Sequence, residues 1–119
     1  YTETHKKRVR HRLMTHPHLI NKKGTFMINK SIHSKLYHRI IARLRAKREG
    51  KGLTQCQLAH ILNVRQTYVS RIETCERRLD ILELMNICEA LGISFIDFVR
   101  EIDEDILPKF RASQNGKNN

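Results

Sequence analysis

The chain has 119 residues, of which 23 are Lys or Arg and 12 are Asp or Glu, giving a formal net charge of +11. That length corresponds to one domain with or without tails, and 39% apolar residues imply a small core or a part of the chain lying outside it. There is no run of the roughly 18 apolar residues a membrane span needs and no secretory leader pattern, and the odd, widely spaced Cys56, Cys75 and Cys88, with no C-x-x-C pair, argue against a disulfide framework or zinc finger and suit a reducing cytoplasm.

The charge is unevenly placed. Residues 1–26 carry a net +6, residues 27–51 carry +7, and residues 79–105 carry −7. A cationic first half and an anionic second half suit a protein that turns one face to a polyanion, with nucleic acid ahead of a membrane surface. Residues 1–29 read as a basic, flexible arm containing Pro17 and Gly24, with Met27 a possible natural start. The arm could lie in a minor groove or along phosphates, or serve only as a solubilising tail. Its His11, His16 and His18 have no Cys or carboxylate beside them, so no metal is expected there.

Residues 30–107 read as the domain. Ser34 can cap a first helix that carries Leu36, Ile40, Ile41 and Leu44 on one face and ends at Gly50-Lys51-Gly52. Thr54-x-x-Gln57 is a capping box for a second helix with Leu58, Ile61 and Leu62 inward. Asn63-Val64 makes the turn, and a third helix of about ten residues starts at Gln66 with Val69 and Ile72 inward. Asp80-x-x-Glu83 repeats the capping box for a fourth helix ending at Gly92, and Ser94 opens a fifth that runs through Ile102 or beyond. Pro108 closes the ordered region, leaving 108–119 as a polar disordered tail. No hairpin signal occurs, so the fold class is all-α with five helices. Two short helices joined by a three-residue turn, with Ala59 allowing close approach, fit a helix–turn–helix; they also fit two ordinary core helices.

The residues carry the reading further. Leu53-Thr54-Gln55-x-x-Leu58-Ala59-x-x-Leu62-x-Val64-x-Gln66-x-x-Val69-Ser70-x-Ile72-Glu73 closely resembles the Cro and lambda-repressor type of helix–turn–helix, the XRE family. The resemblance runs from about Ile40 to Phe98. It implies a lambda-repressor-like fold and a cytoplasmic, nucleoid-associated transcriptional regulator, a repressor that binds double-stranded DNA as a homodimer on an inverted repeat, with the third helix in the major groove.

Residue by residue, the resemblance implies that Gln55 meets a phosphate and the amide of Gln66, and that Gln66 addresses adenine. Thr67 and Arg71 follow on the groove side, Arg71 suiting a guanine. Arg65 and Tyr68 flank them as further base contacts. Backbone contacts fall to Gln55, Ser70, Thr74, Arg77, Arg78 and Arg43. Arg48 and Glu73 resemble a structural ion pair tying the first helix to the third. Where the family often has Asn-Gly after this glutamate, the chain has Thr74-Cys75, so Cys75 must take a strained conformation or the turn must differ.

The fifth helix has apolar residues on more than one face. Either all are core, or Ile96, Val99, Ile102 and Ile106 form a dimer surface. Neither Cys56 nor Cys88 has the His/Asp surroundings of a nucleophile, and without paired carboxylates, a metal triad or a phosphate loop the chain reads as a non-enzyme with no cofactor. The alternative to a repressor is an antitoxin that neutralises a toxin partner and regulates its own operon.

Overall fold

A computed structural model of the chain describes residues 34–117, so the expected arm at 1–29 lies outside the described residues. The described residues are helical, without a strand, in the order α1 (Lys35–Gly50), α2 (Gln55–Leu62), α3 (Gln66–Glu73), α4 (Ile81–Leu91), α5 (Phe95–Glu101), a π-helical turn (Ile102–Ile106) and α6 (Leu107–Lys117). The five expected helices are present, and α6 is a continuation that sequence reasoning did not foresee.

Local chemistry sets the helix ends. The Ser34 hydroxyl accepts the Tyr37 N–H at 3.0 Å. At α2, Thr54 Oγ1 accepts from the Gln57 N–H at 3.1 Å, and Gln57 Oε1 accepts from the Thr54 N–H at 2.8 Å. Asp80 and Glu83 exchange the same pair of bonds at 2.8 and 3.0 Å. Each reciprocal pair satisfies two backbone donors that a helix start leaves open. Gly92 ends α4 in the left-handed region at φ 68°, where a glycine meets no Cβ penalty.

Two non-glycine residues also take positive φ. Asn63 (φ 57°) ends α2, and asparagine tolerates that region well. Cys75 (φ 62°) follows α3, so the turn keeps its left-handed shape and the cysteine bears the strain, on the order of 1–2 kcal/mol. The compensation is packing, because the Cys75 side chain is buried in the core. This left-handed step also ends α3 after eight residues rather than ten.

The core is a single cluster. Ile41 and Leu44 of α1 meet Leu58 and Ala59 of α2, Val69 and Ile72 of α3, Ile87, Cys88 and Leu91 of α4, and Phe98 of α5. A fully buried side chain of this kind contributes about 1.5–3 kcal/mol, so these contacts hold the α2–α3 pair against a scaffold from three other helices.

Beyond Glu101 the sequence expectation needs correcting. The chain does not leave the helix at Pro108, because α6 runs to Lys117. Proline lacks an N–H and its ring crowds the carbonyl four residues back. The π-helical turn immediately before it widens the helix there, and Pro108 sits in the first turn of α6, where a missing N–H costs least. The α6 helix lies along α1, with the Arg39 guanidinium 5.3 Å from the Phe110 ring centre and donating to Ser113 Oγ at 3.4 Å.

The same turn corrects the dimer expectation for Ile106. An α-helix advances roughly 100° per residue, which places Ile106 on the Val99 side. The wider turn winds it back into line with Phe98, and Ile106 is 4% exposed. Ile102 packs against the core as well. Ile106 is withdrawn from any partner, while Ile102 is half-buried. Ile96 and Val99 remain exposed, at 64% and 39%.

Candidate nucleic-acid interface

The centre of the candidate site is a chain of four polar side chains drawn from three helices. Arg48, near the end of α1, donates from Nε and Nη2 to the two carboxylate oxygens of Glu73 at 2.6 and 2.9 Å. Its Nη1 donates to the Leu53 carbonyl at 2.6 Å. Both charged side chains are 7% exposed, and the doubled bonds explain how a buried pair is accommodated. Glu73 then accepts from Gln55 Nε2 at 2.8 Å, and Gln55 Oε1 accepts from Gln66 Nε2 at 2.7 Å. The expected Arg48–Glu73 pair and the Gln55–Gln66 pair are both present, and Glu73 joins them.

This order of donors and acceptors has a direction. An ionised carboxylate only accepts, so Gln55 must turn its NH2 inward and its oxygen toward Gln66. Gln66 must answer with its NH2. It is left with Oε1 and one N–H facing solvent, an acceptor beside a donor, as bidentate recognition of an adenine edge requires.

The rest of α3 sorts by face. Val69 and Ile72 are buried, and opposite them Gln66, Thr67, Arg71 and Thr74 are exposed, with Ser70 half-buried at the edge. Arg65, the residue before the helix, is exposed and makes no side-chain cap. Among the described residues Arg65, Arg71 and Arg78 form no side-chain bond or ion pair. Thr74 Oγ1 donates to the Arg71 carbonyl at 3.4 Å, which anchors it at the end of α3.

Three expected contact residues are placed elsewhere. Tyr68 turns from the groove face toward α4, where its hydroxyl donates to Glu83 Oε2 at 2.7 Å. Arg77 shares that oxygen at 2.6 Å and stacks over the Tyr68 ring, 4.6 Å from its centre. Burial, with the Glu83 bond and charge, pushes the Tyr68 phenol up to about 12. Burial would raise the Glu83 carboxyl too, but the Asp80 N–H, Tyr68 and Arg77 together hold it below the usual range. Arg43 lies on the α5 side of α1, bound to Glu101 at 2.8 Å and Asp105 at 2.5 Å, with Lys47 adding a bond to Glu101 at 2.7 Å. These carboxylates stand 58 and 62 residues along the chain, beyond the reach of local sequence signals.

Sequence reasoning missed Tyr37 and the second role of Glu83, which it read only as a cap. The Tyr37 hydroxyl accepts the Leu79 N–H at 3.0 Å and so braces the loop that presents Arg78. Arg45, exposed on α1, lies 3.9 Å from Glu73 at the edge of the same polar chain. Among the described residues no group of His, Cys, Asp and Glu is placed to hold a metal, and no helix is long and apolar enough to cross a membrane.

Comparisons with known proteins agree with this geometry. The HTH_3 helix-turn-helix family model matches residues 44–98. An XRE-family like protein from Pseudomonas syringae pv. tomato is 34% identical with a TM-score of 0.58, over 62% of this chain and 90% of that one. The clp gene regulator ClgR from Corynebacterium glutamicum is 26% identical at a TM-score of 0.58, over 71% and 89%. A mutant restriction-modification controller protein is 32% identical at a TM-score of 0.57, over 62% and 99%. No curated protein matches the chain.

Proposed function

The chain belongs to the XRE family of helix-turn-helix proteins, and from that premise we propose that this DNA-binding transcriptional regulator is a cytoplasmic repressor acting as a homodimer on a short inverted repeat. Its work is binding and not catalysis. The observation that carries the reading is the hydrogen-bonded path Arg48–Glu73–Gln55–Gln66, which fixes the groove-facing amide at the head of α3 before any DNA arrives. An amide held in advance has less rotamer freedom to lose on binding.

In this reading Gln66, Thr67 and Arg71 read base edges, with Arg65 at the flank. Gln55, Ser70, Thr74 and Arg78 meet phosphates and set register. Exposed Ile96 and Val99 supply the dimer contact. Two copies related by a two-fold axis then present two α3 helices to half-sites about one DNA turn apart, and occupancy of a promoter blocks polymerase.

In vitro selection of bound sites, followed by footprinting, tests the proposal. The selected sequences should be inverted repeats with that spacing. Gln66→Ala and Arg71→Ala should keep weak, salt-sensitive binding and lose discrimination. Full operator preference in both variants would overturn the assignment of α3 as the reader.

A further inference from the structure

A second apolar surface lies on α4, distinct from the Ile96 and Val99 surface. Ile81 and Leu82 are 65% and 66% exposed and Met85 is 44% exposed. They form one stripe on the first turns of α4, beside the buried side that carries Ile87, Cys88 and Leu91. Ile81 is at the start of an 11-residue helix, about 15 Å along the axis from the end that leads into α5. Residues 80–91 contain no Lys or Arg, and with Glu83 already paired with Arg77, Asp80 and Glu89 are the acidic residues left beside the stripe. Glu89 lies one turn beyond Met85 on the same stripe.

The chain enters the described structure beside this stripe. Ser34 caps α1, and one turn later the Tyr37 hydroxyl accepts the N–H of Leu79, the residue before Asp80. The N-terminal end of α1 therefore lies close to the residues that lead into α4. Residues 26–33, fully extended, span about 25 Å, enough to cross the stripe. Their chemistry complements it, with Phe26, Met27, Ile28 and Ile32 apolar, while Lys22, Lys23 and Lys30 are the only charged residues in 20–33.

We infer that residues 26–32 of the same chain dock across Ile81, Leu82 and Met85, with Lys30, their one charged residue, toward Asp80 and Glu89. Apolar burial supplies the attraction and the opposite charges select the segment. Docking fixes the root of the basic arm beside the loop that carries Arg77 and Arg78, so the arm's remaining cations leave the domain next to the DNA-binding loop.

The test uses the full chain with Cys56→Ser and a nitroxide on Asn29→Cys, read through methyl resonances. Ile81, Leu82 and Met85 should lose intensity while Ile96 does not. The loss should vanish when spin label and isotope are on different chains in a mixed sample. Leu82→Asp should restore the Ile81 and Met85 signals, and Ile96→Asp should leave the loss in place. Unchanged intensity at α4, an equal loss at Ile96, or an equal loss in the mixed sample would each overturn the proposal; the last would assign the stripe to a second copy.

Discussion

Gln66 is bonded to Gln55 through its NH2 group, at 2.7 Å, and Gln55 is bonded through its own NH2 to the carboxylate of Glu73. The side chain proposed to face the groove is therefore oriented by a charge that lies buried behind it. Orientation and stability share one set of atoms, and substitutions can separate them.

Gln55→Ala is the first separation. Gln55 is the first residue of α2 and only half-buried, so its loss should leave the fold intact. Gln66 would then lose its fixed orientation. Competition against single-base-pair variants of the selected site should show discrimination at the Gln66 contact falling by roughly 5- to 150-fold, as 1–3 kcal/mol implies. Non-specific binding should weaken far less. Unchanged discrimination would mean that Gln66 orients itself.

Glu73→Ala addresses stability. It leaves the Arg48 guanidinium buried with only the Leu53 carbonyl for company, and removing one partner of such a pair costs about 3–5 kcal/mol. Arg48→Met with Glu73→Leu should recover much of that loss in urea unfolding, because no unpaired charge remains. Discrimination should not recover, since Gln55 still lacks its anchor. A double variant that regains full operator preference would show that the ion pair supports the fold alone.

What the sequence disclosed follows the range of each interaction. The two capping boxes, Thr54 with Gln57 and Asp80 with Glu83, act over three residues and were readable, as was the left-handed Gly92. The Arg48–Glu73 and Gln55–Gln66 pairs span 25 and 11 residues and were reached only through the family resemblance. Glu83 was read as a cap, which hid its second oxygen, and that oxygen turns Tyr68 and Arg77 away from the groove. Pro108 read as a stop, because nothing local announces a helix that widens before a proline. The phase shift that buries Ile106 followed from the same omission.

The carboxylates tying α5 and the π-helical turn to α1 predict acid lability. Lys47 and Arg43 hold the Glu101 carboxyl below the usual carboxylate range, and Arg43 and Lys109 do the same for Asp105. Glu83 is depressed as well. A depressed folded-state value gives stability that is complete above the unfolded value and is lost as pH falls through the folded one. Thermal midpoints should therefore be flat for these groups above about pH 5 and decline below it. Glu101→Gln should lower the midpoint at neutral pH and shallow the acid decline. An identical decline in wild type and variant would show that Glu101 contributes nothing to it.

The exposed stripe on α5 is the proposed dimer surface. Ile96 and Val99 are the large apolar residues of α5 left in solvent, whereas Ile102 is half-buried against the core and Ile106 is buried in its own chain. Burying an isoleucine and a valine from each of two copies contributes several kcal/mol at about 1.5–3 kcal/mol per side chain, and a charge on the stripe would have to be desolvated unpaired. Ile96→Asp and Val99→Asp should each shift the protein toward monomer in sedimentation equilibrium while helical content by circular dichroism stays unchanged. Binding to a full inverted repeat should drop toward that of an isolated half-site, because the second α3 no longer arrives with the first. Ile106→Asp should behave differently, unfolding the junction of α5 and α6 rather than producing a folded monomer. If Ile96→Asp remains dimeric and Ile106→Asp gives a folded monomer, the interface runs through the inner stripe and the burial of Ile106 is not what holds α6 in place.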